Sequence, residues 1–516
     1  MKIKAKQNFL QGAFIISLGG IVAKILGACY RIPLANILGA EGLGIYQMVY
    51  PLYCLLLTIS ATGIPSGLAR MVSKADLGEG YSSKILLKKA LLLFATIGIA
   101  ASLLMFFLSP LFALIQNENK SIFAYRILAP SVLFVSIISC FRGYFQGKSN
   151  FIPTATSEII EQLIKVLLGL TFLFTFKNIT QEKLVGLSLL AVTISEGIAM
   201  LFMFLIALKS QALQREESSI NFEKPTSMFL LRGTIPVTFA AGLLPLSNMI
   251  DSILIVNILK RKTEDATYLY GLFSAGATTL VALPASICYG LAAVSVPTIA
   301  SLCATGENIK AEEKIVFAIK CTLFVAMPAA LFLQFYAPSI AQLLFPKLVQ
   351  NGNMTLVLLI QCTAFACLFL ALTQTLSACL TGMGKAKVAA ISMAIAVTVK
   401  LILESILLFI PKVSILGAGI AVTACYLVAF IINFVYSIRE NKMRISTLYQ
   451  ITKFGAISLG AILTGLIVIK IHVLLSLLVA SCVYLFLCYV AKVFDREEFE
   501  FISFKRKKRD EKLRQD

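Results

Sequence analysis

Basic side chains within long apolar segments are the residues of this sequence best suited to bind an anion. They are Lys24, Arg31, Lys165 and Lys400, each in or at the edge of such a segment. A charge inside a membrane is costly unless it faces a partner, a ligand or water. Fixed cations in a low-dielectric site bind phosphate oxygens through charge-assisted hydrogen bonds. We interpret the four residues as the substrate-binding part of a cationic cavity.

Carboxylates lie in the same apolar segments, and we interpret them as acidic partners in the wall of the cavity. They are Glu158, Glu161, Glu196 and Glu404. Two of them stand one helical turn from a lysine, which favours the ion pairs Glu161–Lys165 and Lys400–Glu404. The alternative interpretation is that such pairs are purely structural, or that the long side chains reach toward the membrane surface.

Asn248 and Asp251 follow Pro245 in another apolar segment. A helix broken near the proline would expose oxygen ligands of the kind that hold Na⁺ or a proton in transporters. The alternative interpretation is a helix cap or a hydrogen bond between helices. The two residues are therefore a possible cation site.

Metal centres and nucleophilic triads are not expected. The chain has one histidine, His472, and 12 cysteines without a C-x-x-C pair. The segment from Gly143 to Ser149 resembles a phosphate-binding loop, but its glycines are one residue too close together for that loop. We interpret it as a basic intracellular turn. These features predict a protein that is not an enzyme, with no cofactor other than a possible coupling Na⁺ or H⁺.

The elements that position these charges must be membrane-spanning helices. Of the 516 residues, 58% are hydrophobic and 14% charged, and the mean hydropathy is +0.88. Ordinary soluble domains are about 25% charged. The net charge of +20 lies mainly in short segments between apolar runs and in the tail from Lys505 to Arg509, which excludes nucleic acid as the partner.

Fourteen apolar segments are long enough to span a bilayer, so the predicted fold is an all-α integral membrane protein. The segments cover residues 10–30, 44–69, 90–112, 122–141, 153–175, 184–208, 232–258, 271–300, 315–336, 353–380, 388–410, 416–437, 452–470 and 473–492. Lys and Arg are concentrated in alternate connecting segments, which places both termini in the cytoplasm.

Matching features in the two halves predict two six-helix lobes in parallel repeat. Lys165 follows Gly147 by 18 residues, as Lys400 follows Gly382. Parallel repeats place a substrate path between two lobes. The predicted organisation is listed along the chain as an N-lobe (1–208), a cytoplasmic linker (209–231), a C-lobe (232–437), two extra helices (438–492) and a basic cytoplasmic tail (493–516).

Several motifs resemble the stage V sporulation protein B branch of the polysaccharide flippases. They are Lys24–Gly27, Arg31–Ala35, Leu38–Tyr46, Gly63–Pro65, Ala69–Ser73 and Arg142–Lys148. This family is part of the multidrug/oligosaccharidyl-lipid/polysaccharide exporter superfamily, together with the MurJ lipid II flippases and the MATE antiporters. The resemblance covers essentially the whole chain and agrees with the number of spans.

The resemblance implies transfer of an undecaprenyl-diphosphate-linked saccharide, lipid II being the first choice, from the inner to the outer leaflet of a bacterial cell membrane. Lys24 matches a basic residue of the MurJ relatives, and Arg31 matches a second with a shift of one residue. The arginine of their second span is absent here, where the stretch reads Tyr50 to Tyr53. We expect Lys165 and Lys400 to replace the missing charges.

Two other functions remain open at this point. A MATE-like exporter of organic cations, coupled to Na⁺ or H⁺, would use the intramembrane carboxylates. A scaffold for cell-wall synthesis proteins would need no charged cavity. The cations favour the flippase, with membrane lipids and possible cell-wall synthesis proteins as partners, and with the chain acting as a monomer.

Overall fold

The structure is a computed structural model that describes residues 2–76, 82–176, 178–210, 212–213, 227–349, 354–441, 446–469 and 472–494. For some of these, including most of residues 2–28, only the backbone is described. Every regular element in these ranges is a helix, as predicted. The helices are α1 (Lys2–Leu57), α2 (Ile64–Asp76), α3 (Ser83–Phe107), α4 (Ser109–Ile115), α5 (Ser121–Gly147), α6 (Ile152–Thr175), α7 (Gln181–Lys209), α8 (Ser227–Lys260), α9 (Ala266–Gly271), α10 (Thr278–Ala304), α11 (Asn308–Phe335), α12 (Ala337–Leu344), α13 (Thr355–Gly382), α14 (Ala386–Leu407), α15 (Leu416–Asn441), α16 (Ser446–Val468) and α17 (Val473–Val490).

The helices account for the fourteen predicted spans. Twelve segments among the described residues are long and apolar enough to cross a membrane. One of them, Cys29–Ala75, contains a kink at Gly39 and therefore comprises parts of two spans. The 24-residue helix α6, which carries three charged residues, is a further span. The multi-span all-α fold predicted from hydropathy is confirmed.

A single glycine separates the first two spans. Gly39 has φ 66° and ψ 179°, whereas the residues on either side of it are helical. That backbone conformation is essentially restricted to glycine. The chain thus changes direction within one residue and continues as a helix, whereas the predicted spans left residues 31–43 as a connecting segment.

The glycines of the segment from Gly143 to Ser149 belong to a helix rather than to a turn. Helix α5 continues to Gly147 and packs against α2. A Cβ atom at position 147 would lie 2.6 Å from the Cβ atom of Val72, and one at 143 would lie 3.0 Å from the Cα atom of Pro65. These glycines allow two helices to approach closely, and the interpretation as an intracellular turn is wrong for residues 143–147.

The two halves share local features that support the parallel repeat. A π-helical turn, Thr58–Thr62, follows α1, and a second, Leu272–Ala277, follows α9. Short helices also follow the third and ninth spans, and Pro110 in α4 and Pro338 in α12 lie at their first turns. Proline is well tolerated there because it needs no hydrogen-bond acceptor in the first turn.

The chain forms two compact units. The first contains Met1–Leu283, Ala341–Thr363 and Ala390–Val428, and the second contains Pro284–Ile340, Ala364–Ala389 and Ala429–Asp516. All of the site residues predicted from the sequence belong to the first unit. The lobe boundaries at 208 and 437 stay a prediction.

Candidate functional site

A cluster of charged side chains joins four helices in the amino-terminal half of the chain. It consists of Arg31 from α1, Arg142 from α5, Glu161 and Lys165 from α6, and Glu196 from α7. We call this group the amino-half cluster. Its members interact electrostatically with one another although they come from segments far apart in sequence.

Helix α6 supplies the central charges of this cluster. Glu158, Glu161 and Lys165 are spaced by three and four residues, which places them on one face of the helix. Helix α6 packs against both α1 and α7. Its charged face therefore lies among protein side chains, and Glu158 interacts with Arg142 and Glu161.

Glu161 is paired with an arginine rather than with the lysine one turn away. The Arg142 guanidinium donates to Glu161 Oε2 at 3.1 Å and, through Nε, to Ser157 Oγ at 2.9 Å. The pair is largely buried, with side chains 14% and 20% exposed. A guanidinium donates in several directions at once, so it holds a carboxylate and a hydroxyl together. The expected Glu161–Lys165 ion pair is therefore not the one that the structure contains.

Lys165 is left without an ion-pair partner. Within the described ranges, no carboxylate oxygen lies at ion-pairing distance from its ammonium group. The half-buried side chain interacts over longer distances with Glu161, Glu196 and Arg31. An unpaired ammonium beside a guanidinium is electrostatically prepared to bind an anion.

Glu196 is buried and held by a tyrosine. Tyr53 donates a hydrogen bond to Glu196 Oε1. Tyr53 belongs to a row of aromatic rings on α1, in which Tyr46 stacks on Tyr50 at 5.6 Å and Tyr50 lies 5.5 Å from Tyr53. The spacing of four and three residues puts the row on one helix face, where Arg31 and Glu196 interact with it.

A second cluster lies in the carboxy-terminal half, and we call it the carboxyl-half cluster. It consists of Ser247 and Asp251 from α8, and Lys400 and Glu404 from α14. Lys400 donates to Asp251 Oδ2 and to Ser247 Oγ, the latter at 2.9 Å. Lys400 and Asp251 are each 5% exposed. The ion pair that the sequence suggested for Lys400, with Glu404, is replaced by one with a residue 149 positions earlier.

Glu404 is the most buried carboxylate of this cluster. The residue is 0% exposed, and neither carboxylate oxygen has a hydrogen-bond partner among the described residues. Its carboxylate faces that of Asp251, whose Oδ1 atom is also unpartnered. Two carboxyl groups can hydrogen-bond each other only if one of them is protonated. The cluster has one ammonium group and two carboxyl groups.

The expected break in the helix near Asp251 does not occur. Helix α8 is continuous from Ser227 to Lys260 and passes through Pro245 without interruption. Asn248 is exposed, whereas Asp251 is buried on Lys400. The cation on Asp251 in this structure is thus an ammonium group of the chain itself. Among the described residues there is no group of three or more His, Cys, Asp or Glu side chains arranged for a metal ion.

Lys24 cannot be placed in either cluster. Its backbone lies in α1, but its side chain lies outside the described residues.

At one end of the first unit, helices from the two halves of the sequence are in backbone contact. A Cβ atom at Gly44 would lie 2.1 Å from the carbonyl oxygen of Thr267, and one at Gly271 would lie 1.9 Å from that of Ala40. Only glycine permits such an approach of α1 and α9. We call this region the closed end.

Buried hydrogen bonds reinforce the closed end. Gln47 donates to the carbonyl oxygen of Ser274 at 2.8 Å, and the Tyr270 hydroxyl donates to that of Gln47 at 3.2 Å. Gln116 donates to Ser252 Oγ of α8 at 3.0 Å. Backbone groups in the bilayer need such partners, so these bonds hold the two halves together at this end.

Charged side chains form ion pairs and a hydrogen bond at the edge of the closed end. Glu118 accepts from Thr267 at 2.6 Å and pairs with Lys260 at 3.3 Å. Lys120 pairs with Glu41 at 2.6 Å, and this hydrogen bond raises the pKa of Lys120. The backbones of α1 and α9 are in direct contact in this conformation.

Three residues that hold the charged side chains of the two clusters could not be identified from the sequence. Arg142 and Tyr53 are unremarkable by type, and Ser247 lies in an apolar segment. Only their positions across helix interfaces show that they hold Glu161, Glu196 and Lys400 respectively, so hydropathy and spacing could not reveal these pairings.

The amino-acid sequence of the chain is similar to those of known proteins. Residues 9–303, more than half of the chain, match the sequence profile of the family described as "Polysaccharide biosynthesis protein". The chain is 28% identical over 450 residues to "Uncharacterized membrane protein YabM" of Bacillus subtilis (strain 168), which covers 85% of this chain and 82% of that protein. It is 25% identical over 456 residues to "Lipid II flippase MurJ" of the same organism, covering 83% and 82%.

Solved structures share the fold. A structure described as "Lipid II flippase MurJ, inward closed conformation" matches with a TM-score of 0.70 at 15% identity, covering 93% of this chain and 99% of that one. A MATE family transporter in an inward-facing conformation matches with a TM-score of 0.67 at 15% identity, covering 86% and 99%.

Proposed function

Because the chain belongs to the family of polysaccharide biosynthesis proteins, we propose that it is a flippase for a lipid-linked saccharide. The substrate class is an undecaprenyl-diphosphate-linked saccharide, with lipid II as the first candidate, moved from the inner to the outer leaflet. The protein crosses the membrane many times, and we place both of its termini in the cytoplasm.

The observation that carries the proposal is the unpaired Lys165 beside Arg31 in the amino-half cluster. A diphosphate has two adjacent anionic groups and needs more than one fixed cation. Lys165 provides a point charge and Arg31 a planar donor fork, and both types bind phosphate. Arg142 does not take part, because Glu161 neutralises it. Lys24 is proposed as a further cation on the same helix as Arg31.

The closed end supports transport by alternating access. Access from one side at a time requires that the two halves meet at one end and separate at the other. In this structure the meeting end is built from Gly44, Gly271 and the buried bonds of Gln47. We propose that it faces the outer leaflet, because the positive-inside rule assigns loops 116–120 and 261–265 to that side.

A MATE-like exporter of organic cations is the second candidate, because a MATE family transporter shares the fold. Such a substrate would need a carboxylate that is free to bind it. In the amino-half cluster Glu161 is held by Arg142 and Glu196 by Tyr53, and in the carboxyl-half cluster Asp251 is held by Lys400 while Glu404 is fully buried. The free charge of the amino-half cluster is the cation Lys165, which favours an anionic substrate. We propose that no chemical reaction accompanies transport, so the protein is not an enzyme, and that it works without a cofactor.

The experiment is flipping of lipid II in reconstituted vesicles, with a membrane-impermeant reagent that labels the exported headgroup. Lys165→Ala should reduce transport by about 10- to 150-fold, because loss of one charge-assisted hydrogen bond costs about 1.5–3 kcal/mol. Lys310→Ala is the matched control, since that lysine is exposed and pairs with Glu307 far from the cluster in sequence. Equal transport by the two variants would contradict the proposal, as would transport of an organic cation by the wild type.

A further inference from the structure

The carboxyl-half cluster resembles a cation-binding site in which the bound cation is a side chain of the protein itself. The ammonium group of Lys400 contacts the Asp251 carboxylate and the Ser247 hydroxyl, and it interacts electrostatically with Glu404. Oxygen ligands of this type bind hard metal cations as well as ammonium groups. Lys400 thus lies where a small external cation would be expected.

The cluster is isolated from other charges. The titratable groups that face it from neighbouring helices are Tyr270 of α9 and Cys425 and Tyr426 of α15. None of these is a cation. Lys400 is the only positive charge, within the described residues, that interacts with Asp251 or Glu404.

The carboxyl oxygen atoms that do not contact Lys400 are an independent sign of a ligand site. Both oxygens of Glu404 and the Oδ1 atom of Asp251 are buried without a partner. A buried carboxylate that lacks a counter-charge is strongly destabilising. Removal of Lys400 would leave the Asp251–Glu404 pair without its counter-cation, together with the space that the ammonium group now fills.

We infer that Lys400 is a built-in counter-cation, and that the Asp251–Glu404 pair is a latent site for a small monovalent metal cation such as Na⁺. In the wild type the lysine occupies the site, so that the protein needs no Na⁺ there. Replacing an ammonium by Na⁺ leaves the total charge of the cluster unchanged. A Lys400→Ala variant should therefore recover its lost stability when Na⁺ is supplied.

The test is thermal unfolding of the purified protein in detergent, with NaCl titrated against choline chloride at constant ionic strength. The wild type should show no saturable stabilisation by Na⁺. Lys400→Ala should be less stable in choline and should be stabilised saturably by Na⁺. At a Na⁺ concentration 100 times its Kd, the folded-to-unfolded ratio of this variant should rise about 100-fold.

Lys165→Ala is the matched control, because it removes the corresponding lysine of the other half, which has no ion pair. It should not respond to Na⁺. The Lys400→Ala,Asp251→Asn double variant should lose the response, because it lacks one of the two carboxylates.

Several results would overturn the inference. They are a Lys400→Ala variant indifferent to Na⁺, a preference of that variant for Ca²⁺ over Na⁺, and saturable binding of radioactive Na⁺ by the wild type that Asp251→Asn abolishes. The last measurement uses the wild type, so it can overturn the inference even if Lys400→Ala does not fold. None of these measurements depends on lipid transport. The inference can therefore fail while the proposed function holds, and the proposed function can fail while the inference holds.

Discussion

Replacing Gly271 by alanine should open the closed end. In this conformation the added Cβ atom would lie 1.9 Å from the carbonyl oxygen of Ala40 and 2.8 Å from the amide nitrogen of Gly44. Both are backbone atoms of α1, so no side chain can rotate away to relieve the overlap. Gly271→Ala therefore disfavours the conformation in which α1 and α9 touch.

The magnitude follows from the geometry. Ordinary van der Waals contact at a Cβ atom begins at 3.4 Å, so the 1.9 Å separation must increase by roughly 1.5 Å. Overpacking a well-packed interface costs about 1–3 kcal/mol. A conformation with α1 and α9 apart does not bear this cost. The equilibrium should therefore shift toward the open form by about 5- to 150-fold.

The assay is a distance measurement by double electron–electron resonance. Spin labels are attached to cysteines introduced at Asn119 and Thr263 in a cysteine-free background, one on each side of the closed end. The distance distribution of Gly271→Ala should gain a longer component. Gly20→Ala is the matched control, because no atom of another described element lies within 4 Å of a Cβ atom at that position.

Two results would refute the reasoning. One is an unchanged distance distribution in Gly271→Ala, which would mean that the contact of α1 and α9 does not control the closed end. The other is an equal change in Gly20→Ala, which would mean that any glycine replacement in these helices has the same effect.

Three further predictions concern charge. Arg142→Ala should slow lipid II flipping, because it releases Glu161 to neutralise Lys165. The double variant Arg142→Ala,Glu161→Gln should restore flipping in the vesicle assay. Failure of this rescue would contradict the proposed role of the unpaired Lys165. Collapsing a negative-inside potential with valinomycin and balanced K⁺ should slow net export, because two phosphate charges crossing 100 mV gain about 4.6 kcal/mol, a bias of roughly 2000-fold; transport that ignores voltage but needs Na⁺ would exclude this driving force. A cysteine at Lys505 should resist an impermeant thiol reagent in intact cells, and labelling there would reverse the predicted orientation.

Much of the fold could be predicted from the sequence. A membrane span must satisfy its backbone hydrogen bonds internally and bury apolar side chains in lipid, so length and hydropathy identify it locally. The charges of α6 were also visible, since Glu158, Glu161 and Lys165 share a face by spacing alone. These inferences need no knowledge of neighbouring helices.

The partners of the charges could not be predicted, because they depend on how each helix is rotated against its neighbours. The spacing favoured Glu161–Lys165 as an ion pair, yet Arg142 reaches Glu161 from another helix and leaves the lysine unpaired. Lys400 had the same apparent role as Lys165 in the sequence.

The tertiary structure shows that these two lysines have different surroundings. Lys165 lies beside Arg31 without an ion pair, whereas Lys400 is buried on Asp251, 149 residues earlier in the chain. Hydropathy is a property of each segment and can be read along the chain. The charge balance of a site is a property of several segments together, and packing decides it: an ammonium group in a low-dielectric interior takes whichever carboxylate the helix contacts bring to it.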